Sequence, residues 1–129
     1  MATINYTATP IVGGYLVNWS GFASGDTCVA FPDGNQFALQ QAAILTDRNV
    51  QTAGTTHGTI HIEGSNAIAT AAAVYATLHE VDGTTALSIT SANIKQVLEA
   101  TYYIRPAPTN GNAGGSCLLK VTTQAEKRI

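Results

Sequence analysis

The chain has 129 residues, 11% of them charged and 45% hydrophobic, with 6 Lys and Arg against 8 Asp and Glu for a net charge of −2. A soluble domain usually carries about 25% charged residues; here 20 Ala, 18 Thr, 12 Gly and 8 Asn stand in their place, which excludes the polar, highly charged composition of a disordered chain. Arg48, Lys95, Arg105, Lys120, Lys127 and Arg128 are scattered rather than clustered, which argues against a phosphate-gripping nucleic-acid protein, and no run of about 18 apolar residues exists to span a membrane.

Thr3 to Thr9 alternates in polarity and meets Pro10, which predicts a strand ending there. Gly13-Gly14 breaks the chain before Tyr15 to Trp19, a strand with Tyr15, Val17 and Trp19 on one face. Ser24-Gly25-Asp26 and Pro32-Asp33-Gly34-Asn35 are turn chemistry. Phe37 to Leu45 has the composition of one short helix, with a loop or strand as alternatives. Arg48 to Gly54 predicts a strand, and His57 to Gly64 another, with Ile60 and Ile62 on one side and Thr59, His61 and Glu63 on the other. Asn66 to His79 pairs an Ala-rich, helix-favouring start with Val74 to Leu78, which suits a strand; an irregular excursion followed by a strand is expected. Asp82-Gly83 is a turn. Thr85 to Thr90 alternates with Leu87 and Ile89 inward, and Ile94 to Glu99 is extended. Tyr102 to Arg105 predicts a strand ending at Pro106, Pro108 to Gly115 a glycine-rich loop, and Cys117 to Thr122 the closing strand. Eight or nine short strands without alternating helices predict one all-β domain over residues 1–129. Its expected form is an antiparallel β-sandwich, most simply a jelly roll, with extended termini.

Few residues invite chemistry. His57, His61 and Glu63 share a strand parity, but His57 and His61 would stand about 13 Å apart at ~3.3 Å per residue. Only His61 and Glu63 could share a metal, and a third ligand from His79, Glu80 or Asp82 would be needed. A solvated strand face is the simpler reading. Nucleophile-elbow, phosphate-loop and dinucleotide patterns are absent, and the carboxylates suggest no glycosidase pair. Cys28 and Cys117 read as small, partly buried thiols of a reducing compartment. Neither a catalytic residue, a metal ligand nor a cofactor is assigned, and an enzyme is not expected. Trp19, Tyr75, Tyr102 and Tyr103 could stack on a sugar, but Trp19 and alternate tyrosines fit the sandwich core better. Arg105 reads as a rim charge at a strand end.

An ordered series of segments goes further: Ile60-His61-Ile62-Glu63-Gly64-Ser65-Asn66, then Tyr75-Ala76-Thr77-Leu78-His79, then Ile94 to Glu99, then Tyr102-Tyr103-Ile104-Arg105-Pro106 before a glycine loop and a last strand. This series, roughly Val50 to Thr122, resembles small proteins encoded among the structural genes of tailed bacteriophages, and the opening Ala2 to Tyr6 is similar as well. Two features depart from that pattern: an Ala-rich insertion, Ala67 to Ala73, replaces an Asp-Gly turn, and extra residues lie near Phe37 to Ile44. The order also looks like the discoidin-type jelly roll, a sugar- or lipid-binding sandwich.

The phage resemblance implies a virion structural protein, a head decoration or cement protein made in the host cytoplasm and placed on the capsid surface. Its partners would be the major capsid protein and further copies of itself, as a trimer or dimer, with neither nucleic acid nor membrane involved. The discoidin resemblance implies a carbohydrate-binding module used in host adhesion. Scarcity of charge suits the first implication, because charged side chains keep monomers apart.

Overall fold

The computed structural model describes residues 2–32, 45–52, 59–67, 74–90, 93–109 and 114–122, and among these it contains strands and turns but no helix. In chain order the strands are β1 (Thr3–Ile4), β2 (Tyr6–Ile11), β3 (Gly14–Phe22), β4 (Thr27–Cys28), β5 (Asp47–Gln51), β6 (Ile60–Ser65), β7 (Ala76–Thr77), β8 (Ser88–Ile89), β9 (Ile94–Gln96), β10 (Tyr103–Ala107) and β11 (Gly115–Thr122). The short helix considered for Phe37 to Leu45 lies, except for Leu45, outside the described residues, as do His57, most of the Ala-rich insertion and residues 123–129.

Period-two alternation sorts the side chains to two sides. Val17, Trp19 and Phe22 of β3, Val50 of β5, and Cys117, Leu119 and Val121 of β11 point inward from one sheet, ordered β2-β3-β11-β5-β9. Ile60 and Ile62 of β6, Ile89 of β8 and Ile104 of β10 meet them from a second sheet, in which β6 pairs with β10 along one edge and with β7 and then β8 along the other. These residues form one hydrophobic cluster, completed by Cys28, Phe31, Leu78, Leu87 and Val97. The expected antiparallel β-sandwich is therefore what forms, with more and shorter strands than the eight or nine expected. The finer jelly-roll subtype rests on the resemblance, not on these strand orders. Strands β1 and β4 add a small parallel pair, Thr3 opposite Thr27 and Ile4 opposite Cys28.

Aromatic rings close one end of the core. Tyr6 meets Trp19 and Phe31 edge-on, with centroids 5.7 and 5.4 Å apart, and Trp19 Nε1 donates to the Val29 carbonyl at 2.7 Å. Burying an indole requires such an acceptor. The core reading of Trp19 thus holds, and so does that of Tyr103, which is buried.

Two strand ends differ from expectation. β2 runs through Pro10 to Ile11, and β10 through Pro106 to Ala107. Proline cannot donate to a ladder, so it is tolerated where its nitrogen faces away from the neighbouring strand. At Ile104 both backbone groups bond Phe31 rather than β6 (2.9 Å each). Two residues on, Pro106 shares that orientation and has Ile62 opposite it, whose own N–H donates to Leu87 on the far side. The N-terminal residues, expected as an extended terminus, are built into sheets, with Ile4, Tyr6 and Ala8 packed against the core.

Candidate functional site

The outer face of the β10-β6-β7/β8 sheet gathers four of the residues the sequence singles out, His61, Glu63, Tyr75 and Arg105. Register sets the rows: Arg105 opposite Glu63 opposite Thr77, and Ala107 opposite His61 opposite Ser88. Tyr75, two residues before Thr77, falls on the same side. Arg105 Nε donates to Glu63 Oε1 at 2.6 Å, and the guanidinium carbon lies 3.7 Å above the centre of the Tyr75 ring. The stack is a cation–π contact between a delocalised cation and the negative face of the ring. Burial raises the Tyr75 hydroxyl above its ordinary value, with Glu63 adding to the rise and Arg105 opposing it.

Arg105 is thus no rim charge. Its side chain and that of Glu63 are only 24% and 23% exposed, because the pair forms one wall of a cleft. The cleft, about 120 Å³, lies between the end of β10 and β4 and is lined by Asp26, Thr27, Cys28, Glu63, Arg105 and the Pro106-Ala107-Pro108 segment. Asp26 is fixed at its mouth, accepting from the Ala23 and Ala2 backbone N–H groups at 2.9 and 2.8 Å. Those bonds hold its carboxyl below the ordinary range. Cys28 is at the floor, where burial pushes its thiol up to about 12. Cys117, deeper in the core, is raised further for the same reason. Both are free, buried thiols, and at neutral pH neither is a thiolate nucleophile.

The remaining metal-ligand candidates are dispersed. His79 is bound to Glu99, its backbone N–H donating at 2.8 Å to one carboxylate oxygen while ring Nδ1 lies 2.6 Å from the other. Glu80 pairs with Lys95 at 2.9 Å, and Asp82 caps its own turn by accepting from Thr84 and Thr85. Among the described residues no three His, Cys, Asp or Glu side chains could hold a metal ion together. Of the aromatic candidates, Tyr75 and Tyr102 are half-buried, while Trp19 and Tyr103 are buried.

The opposite outer face, on the five-stranded sheet, was not legible in advance. Two of its rows are Thr7, Asn18, Leu118, Gln51, Ile94 and Thr9, Leu16, Lys120, Asn49, Gln96, and the next, Ile11, Gly14, Thr122 and Asp47, carries a carboxylate at its end. The first two rows carry one charge, Lys120. Each strand on its own looks like ordinary threonine- and amide-rich alternation. Only register shows that the neutral positions are contiguous.

Comparison of the chain with protein-family models, with curated proteins and with solved structures gives no match in any of the three.

Proposed function

We propose that the protein is a virion structural component, a decoration or cement protein that binds the major capsid protein of a tailed phage through the outer face of its five-stranded sheet. The observation that supports this reading is that neutral face: two adjoining rows of Thr, Asn, Gln, Leu and Ile across five strands, interrupted by a single lysine. Five strands about 4.8 Å apart make a surface roughly 20 Å across, which can supply part of the about 800 Å² that each side of a stable interface buries. A face with so few charges sheds its water at low cost and offers amides and hydroxyls that pair with a partner's backbone and side chains. Repetition around a shell multiplies individually weak contacts by raising the effective concentration of each second attachment. Self-association as a dimer or trimer fits the same scarcity of charge.

The test is to add purified protein to undecorated capsids and challenge them with heat or low salt. Uptake in a fixed ratio to the capsid subunit, with a raised disruption temperature, supports the reading. Capsids that neither bind the protein nor gain resistance overturn it. Thr7→Glu with Leu16→Glu places two charges on this face at exposed positions. Such surface changes shift folding stability by about 0.5 kcal/mol or less. The double variant is expected to melt near the native temperature and to lose capsid uptake.

A further inference from the structure

Strand β2 ends the five-stranded sheet, and among the described residues it pairs only with β3. The hairpin between them turns on Val12 and Gly13, with Ile11 opposite Gly14 as its closing pair. A two-residue turn makes its closing pair a hydrogen-bonded one, and such pairs then alternate along the ladder. Ile11, Thr9 and Thr7 therefore bond β3, while the backbone groups of Ala8 and the carbonyl of Pro10 turn outward. Pro10 fits this phase, since proline is tolerated where no ladder donor is needed. An open edge is normally guarded by charge, commonly a lysine. Here no Asp, Glu, Lys, Arg or His lies between Met1 and Asp26. The far edges are less open: β9 carries Lys95 and runs on to Leu98, whose N–H donates to the His79 carbonyl, and β10 is bridged to Phe31 at Ile104 before it meets Pro106.

We infer that β2 pairs with β2 of a second copy of this chain, antiparallel about a two-fold axis that passes through Ala8 and stands normal to the sheet. The inference rests on the reading above only for its self-association, which it places on a named edge. Sequence decides the occupant. Thr7-Ala8-Thr9 reads the same in both directions, so at this register Ala8 exchanges both backbone bonds with its copy, and Thr7 faces Thr9 twice across the joint. A two-fold centred on Thr9 would instead set Pro10, which has no N–H, opposite Ala8 and forfeit two bonds. Counting outward from Ala8 brings Val12, 88% exposed at the hairpin tip, level with Ile4 of the second copy. Thr7 and Thr9 belong to the neutral face, so the two faces join on one side as a single ten-stranded surface. One strand edge buries less than the about 800 Å² per side of a stable interface. The dimer is therefore weak in free solution and strengthens where copies are held side by side.

The experiment is sedimentation velocity of the full chain, free of capsids, across a concentration series, with amide hydrogen exchange read by NMR on the same samples. Dimer is expected to grow with concentration and the Ala8 amide to gain protection in step. Thr7 and Thr9 amides, bonded to β3 in either state, should change little. Thr7→Lys with Thr9→Lys sets like charges across the joint and should weaken the dimer about tenfold or more. Thr7→Lys with Thr9→Glu sets opposite charges there and should tighten it. Both positions are exposed, and the second variant carries the test should the first fold poorly. A monomer at every concentration, a dimer indifferent to both variants, or a dimer that leaves Ala8 exchange unchanged overturns the inference. Since capsids take no part, any of these results leaves the capsid reading standing, and a dimer that capsids refuse overturns only the capsid reading.

Discussion

Arg48 shows how much one side chain can decide. It is 1% exposed, on the inward side of β5, and it reaches from one sheet to the other: Nε donates to the Leu45 carbonyl at 3.0 Å and Nη1 to the Thr101 carbonyl, just before β10, at 2.7 Å. Desolvation lowers its pKa to about 10, which leaves it charged at neutral pH. Arg48→Ala strands those carbonyls and opens a void, so a loss of about 3 kcal/mol or more in urea unfolding is expected. Arg48→Lys, with one point of donation, should lose less. Acid acts at other residues. Burial pushes Glu99 up, but the His79 backbone N–H and ring outweigh it and hold the carboxyl below its ordinary 4.5. Asp82 is held at about 2, first by the Thr85 hydroxyl and then by the Thr85 and Thr84 N–H groups. A depressed carboxyl stabilises the fold above its unfolded pKa and loses that contribution as pH falls through the native value. Melting temperature should therefore decline from about pH 5 toward pH 2, and Glu99→Gln together with Asp82→Asn should flatten the decline. The thiols give a third check: Cys28 and Cys117 should stay unreactive toward a thiol reagent in the native state and react together on unfolding.

At the scale of strands, what could be read from the sequence followed from how far a strand's own alternation extends. Tyr15-Val17-Trp19, Ile60-Ile62 and Leu87-Ile89 each place a buried row by period two alone, and all three rows face the core as expected. Proline misled at both Pro10 and Pro106, because a proline ends a strand only where its nitrogen faces the ladder, and facing is a property of the partner. The same lack of partners shortened β7, which falls within the strand expected from Val74 to Leu78 but keeps only the two residues opposite Glu63 and Gly64. It also hid the site: Glu63, Tyr75 and Arg105 were each visible as candidates, yet their meeting depends on registers between strands up to forty residues apart. Gly64 is a tight case of such pairing. A Cβ there would strike the Thr101 hydroxyl and come within 2.9 Å of the Tyr103 carbonyl. Gly64→Ala is expected to cost about 1–3 kcal/mol, as overpacking does, and to displace the β6–β10 pairing that holds Glu63 against Arg105; circular dichroism melts and the NMR shifts of the cleft report the two effects separately.

For the whole molecule, the sandwich separates two surfaces of unlike chemistry. The neutral rows look out from one sheet and the charged, half-buried Glu63–Arg105–Tyr75 group from the other, with the core between them. A protein seated by its neutral face would leave the Glu63–Arg105–Tyr75 face open. The edge of β6 shared by β7 and β8 has a separate consequence. The chain leaves that edge after Leu78 and returns to it at Leu87, and the Leu87 N–H closes the exit by donating to the Leu78 carbonyl at 2.8 Å. Residues 81–86 beyond that closure are exposed. Chain added between Gly83 and Thr84 would hang outside a sealed neck, and neither sheet would need to change register to accommodate it. The hairpin is therefore a natural port for grafting: a foreign peptide spliced there should leave the melting temperature within a few degrees of native, and a shell coated with such copies would carry the graft as a dense, ordered array.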